Sequence, residues 1–304
     1  MARESLVGVL SKLSAPSLGV FRGCAAVELG VARKALTALM SAGVIERELP
    51  DTYRMTAVSR SSAQRLRAAL LWAGDDAAAA ARSAAAVYRI EGVHASTPEI
   101  VVPRSNRARS ARVVVHRPGN PAASMVRQHR GFQVTGIEAT LLALAETLDN
   151  EAFEIACEDA RRRRLTSVPA LQAYLDRFGR AGRPGVAALR RLLRELDPTH
   201  PSRSTLEVKT RRLLVAHGFA DFVREVPLAW NGRTHYFDFA FEQQRTILET
   251  NGRRWHDDPA DYEDDNEKWS VPGRHGYRLL FATWAKVTKR PEQLLDELAA
   301  TLAA

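Results

Sequence analysis

Only two of the 304 residues are cysteine, Cys24 and Cys157, and they stand far apart without metal-ligand spacing. That scarcity excludes a disulfide framework and leaves no basis for a zinc site. No apolar run reaches the ~18 residues of a membrane helix, and the opening MARESLVGVLSKL lacks the basic-then-apolar design of a signal peptide. A soluble, cytoplasmic protein is expected. Acid is scarce in one place above all: residues 161 to 194 hold ten arginines against a single acid, Asp176. The net charge of +9 is therefore local, since residues 201 to 304 carry 15 Lys/Arg and 16 Asp/Glu. A concentrated arginine surface attracts polyanions, and nucleic acid is the commonest such partner. The competing reading is that these arginines are only the solvated faces of two helices.

With 45% hydrophobic residues the chain can bury more than one core, so several domains are expected. Residues 5 to 14 have helical spacing through Leu6, Val9, Leu10 and Leu13, and further helices are expected over 24 to 29 and 32 to 42. Two short strands, 44 to 47 and 52 to 55, flank Pro50-Asp51. This order predicts a winged helix-turn-helix over residues 1 to 58, expected to bind DNA, although such domains also serve as protein docking modules. Val31 enters its recognition helix, Arg33, Lys34 and Thr37 face the major groove, and Arg47 and Arg54 on the wing reach phosphate.

A mixed α+β middle domain is expected over 59 to 197. It begins with an alanine-rich helical stretch, 64 to 90, anchored by Trp72 and Tyr88. Strands follow near 100 to 102, 113 to 115 and 132 to 134, then helices over 140 to 148 and 151 to 159. His116 and His129 read as structural or surface residues. Arg161, Arg162, Arg163 and Arg164 end a helix, where cations suit the negative dipole end, and they are expected to add non-specific DNA affinity. Asp197-Pro198-Thr199-His200-Pro201 is the clearest linker signal, and a third domain is expected over 198 to 304.

The chemistry concentrates in DFAFEQQRTILETNGRRWH, residues 238 to 256. Phe237, Phe239 and Phe241 alternate with Asp238 and Ala240, which predicts a strand with the aromatics on one face and Asp238 on the other. Thr246 to Glu249 reads as its hairpin partner, which brings Asp238 and Glu249 together. Adjacent carboxylates repel, and a divalent cation between them, magnesium or manganese, is the usual remedy. The alternative is a surface hairpin with solvated acids.

Residues 202 to the C-terminus resemble the very-short-patch-repair endonucleases of the PD-(D/E)XK superfamily. The resemblance rests on Glu207, Asp238-Phe239, Glu249-Thr250-Asn251-Gly252, Trp255-His256, Asp261, Asp265-Asn266 and Gly276-Tyr277-Arg278-Leu279. It implies an α/β restriction-endonuclease-like core that hydrolyses DNA phosphodiester bonds. Asp238 is then the primary metal ligand, Glu249 and the Thr250 carbonyl complete its shell, and Glu207 acts through water. Asn251 stands where the superfamily has lysine, so water activation falls to His256. Asp264 stands where relatives often carry a basic residue. Trp255 matches an aromatic that wedges into the base stack. The N-terminal block resembles AbiEi-type antitoxins through Leu29-Gly30-Val31, Leu36, Leu39 and Gly43-Val44-Ile45, and the resemblance extends to about residue 165. It implies an alternative: an antitoxin or transcriptional regulator whose nuclease fold serves only for binding. A cognate toxin or a repair factor is the implied protein partner.

Overall fold

Sequence periodicity sets most of the elements, and side-chain caps set several of their ends. The computed structural model describes residues 5 to 196, 204 to 251 and 259 to 304. The fold is mixed α/β, and the chain divides into two compact units, Met1–Leu196 and Asp197–Ala304.

The first unit opens with α1 (Leu6–Ser14), β1 (Val20–Arg22), α2 (Gly23–Glu28), α3 (Arg33–Ser41), β2 (Ile45–Leu49) and β3 (Thr52–Met55). Ser5 caps α1 by accepting from the Gly8 N–H at 3.1 Å. The three strands form an antiparallel sheet in the order β1-β3-β2. Strand β1 is too short to show an alternation, which is why periodicity does not reveal it. Leu10, Phe21, Ala26, Val31, Leu36, Ile45 and Tyr53 make the core of this block. Val31, expected inside the recognition helix, precedes α3 and is buried in that core.

The chain continues through α4 (Ser62–Ala73), β4 (Ala78–Ala79), α5 (Ala81–Tyr88), β5 (Glu99–Val101), β6 (Val114–His116), β7 (Arg127–His129), β8 (Phe132–Val134), α6 (Ile137–Thr147), α7 (Asn150–Arg162), α8 (Val168–Phe178) and α9 (Val186–Glu195). Five strands pair in the order β6-β5-β4-β8-β7. The expected helical stretch from 64 to 90 is thus two helices with a strand between them. Alanine favours helix, but Gly74, at φ 97, ends α4, and Ala78 and Ala79 sit fully buried in the middle of the sheet. Tertiary packing overrides the propensity there. Leu141, Leu144, Phe153, Leu171, Leu175 and Leu189 bring α6 to α9 into one core with Ile100 and Val134.

The second unit runs α10 (Thr205–Ala216), β9 (Val223–Trp230), β10 (Arg233–Phe241), β11 (Thr246–Asn251), α11 (Pro259–Arg274), β12 (Arg278–Thr283), α12 (Trp284–Lys289) and α13 (Pro291–Ala303). Its sheet has the order β12-β11-β10-β9, with β12 parallel to β11 and the other pairs antiparallel. Helices α10 and α13 cover one cluster, with Leu206, Leu214, Leu294 and Leu298 against Phe239, Phe241 and Leu248. Val271 of α11 joins the other, with Val226, Phe237, Ala240 and Ile247. The three phenylalanines therefore do not share a face as the alternation predicts. Phe237 packs with Ala240, and the strand changes phase at Asp238.

Candidate metal centre of the second unit

Three elements converge on Asp238. The turn Asn231-Gly232, both residues at positive φ, joins β9 to β10 and pairs Trp230 with Arg233. Counting outward from it, Phe237 pairs with Val226 and Phe239 with Arg224, which brackets Glu225 opposite Asp238. Glu225 itself has φ 54, an uncommon backbone for a non-glycine residue inside a strand. Helix α10 supplies Glu207, the third residue after its cap; Ser204 accepts from the Glu207 N–H at 3.1 Å. One carboxylate oxygen from each of Glu207, Glu225 and Asp238 lies within 4.8 Å of the others.

Glu207, Asp238 and Glu249 are each fixed by a specific partner. Arg224 donates to Glu207 Oε1 at 2.7 Å, and the Glu207 side chain is 1% exposed. The Thr250 N–H donates to Asp238 Oδ2 at 2.8 Å, and the Thr250 hydroxyl bonds the same oxygen. The Asp238 N–H donates to Glu249 Oε2 at 3.1 Å, and Lys268 of α11 donates to Glu249 Oε1. The Glu249 carboxyl is raised to about 7, first by burial and then by the charge of Asp238; the Lys268 ammonium opposes both. Lys268 also lies over the Phe237 ring, 5.1 Å from its centroid.

This arrangement can hold a divalent cation. Three clustered, mostly buried carboxylates carry like charge that a cation would neutralise, and an all-oxygen donor set suits a hard ion. The expected residues are distributed unevenly over it. Asp238 and Glu207 belong to the triad. Glu249 is next to Asp238 but outside the triad, its two oxygens engaged by Lys268 and the Asp238 N–H. Thr250, expected to lend its carbonyl, contributes its N–H and hydroxyl to Asp238. Asn251 is half-buried and pairs with Thr283 at the end of β11. His256 and Trp255 lie outside the described residues. Sequence reasoning missed Glu225, Arg224 and Lys268. The Asn231-Gly232 turn was a usable signal for Glu225, because it fixes the register that sets it opposite Asp238. No local pattern marks Lys268, which arrives from a helix 17 residues beyond Asn251.

The basic residues expected on DNA divide sharply. Arg33, Lys34 and Thr37 are all exposed on α3, and Arg47 is exposed on β2. Arg33 also pairs with Asp51 at 3.2 Å. Arg54 corrects the expectation of a phosphate contact. Its side chain is 9% exposed and engages Glu46 at 3.0 Å, Glu48 at 3.1 Å and the Val58 carbonyl at 3.0 Å. Arg161 is corrected in the same way: it meets Glu158 at 2.8 Å, with both side chains 3% exposed or less. Arg162 pairs with Asp159 and Glu91, while Arg163 pairs with Asp159 and donates to the Tyr88 and Arg89 carbonyls at the end of α5. Of the four, Arg164 is exposed two residues beyond α7 and has no acidic partner among the described residues.

No family model and no curated protein matches the sequence. Among solved structures, that of the RV2827C protein from Mycobacterium tuberculosis is similar at 19% identity and a TM-score of 0.46. The match covers 68% of this chain and 82% of that one.

Proposed function

We propose that this chain is a metal-dependent DNA endonuclease, with a winged helix-turn-helix at its N-terminus that delivers the second unit to duplex DNA. The observation that carries the reading is the convergence of Glu207, Glu225 and Asp238 on one spot beside the Glu249–Lys268 pair. Bound there, magnesium or manganese would supply Lewis-acid polarisation of a phosphoryl oxygen. Asp238 is the central ligand, pinned by Thr250 so that its free oxygen points consistently. Glu207 and Glu225 complete the protein's share of the donors. Lys268 places an ammonium beside Glu249, and so offers from α11 the cation that Asn251 lacks. The lysine can orient a water or stabilise the developing phosphate charge, and His256 can exchange a proton near neutral pH.

The N-terminal half of the reading rests on α1 to α3, the antiparallel sheet β1-β3-β2 and the exposed Arg33, Lys34 and Thr37. Incubating supercoiled plasmid with magnesium or manganese tests the whole. Wild type should nick or linearise it, and Asp238→Asn should bind DNA but leave it intact. Cleavage by Asp238→Asn at the wild-type rate would remove the site from the reaction. DNA binding by both proteins with cleavage by neither would favour the regulator reading, which Asn251 supports.

A further inference from the structure

A concavity of about 510 Å³ opens in the first unit between α4, α5, the segment at 95 to 98 and the β7–β8 turn. Its floor is apolar, formed by Leu66, Val87 and Phe132, each 9% exposed or less. Its rim carries Arg65, Arg89 and Arg130 and no acidic residue. All three arginines are exposed, and none has an acidic partner among the described residues. Unlike Arg161 to Arg163, they are not neutralised by their own fold.

The backbone gives a second, independent sign. Arg89 and Arg130 hold left-handed conformations, φ 57 and φ 49. Such a conformation is unfavourable for a non-glycine residue, and glycine would serve better at both places. Arg89 is moreover the C-cap of α5, the end of a helix where glycine is favoured. Folding alone does not select arginine there. The field around the rim is positive: the nearby His129 is held below the ordinary imidazole range by its burial and then by Arg130, Arg127 and Arg163.

We infer that this pocket binds a small organic phosphate of nucleotide size, with the phosphate on Arg65, Arg89 and Arg130 and the apolar body of the ligand on the floor. Guanidinium groups match phosphate oxygens in paired hydrogen bonds, and an apolar concavity with a few convergent polar groups is the usual form of a ligand site. The pocket lies within the first unit alone, so the inference stands apart from the nuclease reading.

Calorimetric titration of the full chain with AMP, inorganic phosphate and salicylate is the test. AMP should bind saturably, inorganic phosphate about tenfold more weakly or worse because it leaves the floor uncovered, and salicylate no better than phosphate. Arg89→Gly and Arg130→Gly should each weaken AMP about tenfold or more, while thermal unfolding moves up or stays put. Ala86→Phe, which fills the concavity and keeps every charge, should abolish binding. Absence of AMP binding at about 5 mM would overturn the inference, as would unchanged affinity in all three variants. Inorganic phosphate binding as tightly as AMP would remove the floor from the site. Salicylate doing so would remove the phosphate specificity.

Discussion

The arginine run at the end of α7 and the acidic cluster around Asp238 are both dense groups of like charge in the sequence or in space, and the fold treats them oppositely. Arg161, Arg162 and Arg163 find Glu158, Asp159 and Glu91, so most of a run that reads as a basic surface is internally paired. The acids at Asp238 come from α10, β9, β10 and β11, and the cations beside them, Arg224 at Glu207 and Lys268 at Glu249, come from β9 and α11. A charge run shares its helix with its own counter-charges at spacings of three and four. Charges gathered from separate elements depend on partners that only the fold brings in, here Arg224 and Lys268, and such a cluster can also hold a cation.

The largest effect that would break this contrast is in cleavage. On the endonuclease reading, Lys268→Ala should slow plasmid cleavage about 100- to 10,000-fold, the range of a lost proton-transfer or charge-stabilising group. A rate within twofold of wild type would make Lys268 only a structural counter-ion. Next comes stability of the first unit. Arg161→Ala should destabilise it by about 3 to 5 kcal/mol in urea unfolding, because Glu158 keeps its burial and loses this cation, whereas Arg164→Ala should stay within about 0.5 kcal/mol. Equal costs would mean that the pairing does not separate the two. Smaller again is the salt dependence of DNA affinity. Arg33→Ala with Lys34→Ala should flatten the slope by about 0.9 for each phosphate that is no longer neutralised, while Arg162→Gln with Arg163→Gln should leave it unchanged.

The smallest effect concerns pH. Burial alone would raise the Asp51 carboxyl, but the Cys24 N–H, Arg33 and Arg22 outweigh it and hold the group below its ordinary range. A depressed folded-state pKa contributes stability above the unfolded value of about 4, and that contribution disappears as pH falls through the folded value. Asp51→Asn should therefore lower stability at pH 7 and narrow the loss seen on acidification. Parallel unfolding curves for both proteins from pH 7 to about 3 would exclude Asp51 as a contributor.

Most elements were legible because their periodicity is long. The helices α6 and α7 and the hairpin of β10 and β11 follow from apolar spacing and turn residues. What escaped was short or non-local. Strand β1 has three residues, and Ala78–Ala79 contradicts its own propensity. In the site, Asp238 and Glu249 could be paired from the hairpin alone, and Glu225 could have been found from Asn231-Gly232. Lys268 required knowledge of which helix packs on the sheet. The burial of Arg54 and Arg161 was hidden for a related reason: their acid partners lie nearby in the chain, but only packing shows that water is excluded.

Glu225 couples folding to evolution. A non-glycine residue at φ 54 carries a backbone cost of about 1 to 3 kcal/mol, and glycine would recover part of it despite its own entropy. Selection of random variants for heat resistance alone should thus enrich Glu225→Gly, while selection for cation retention should purge it. The position is one where a route to greater robustness runs directly through the loss of a carboxylate at the acidic centre.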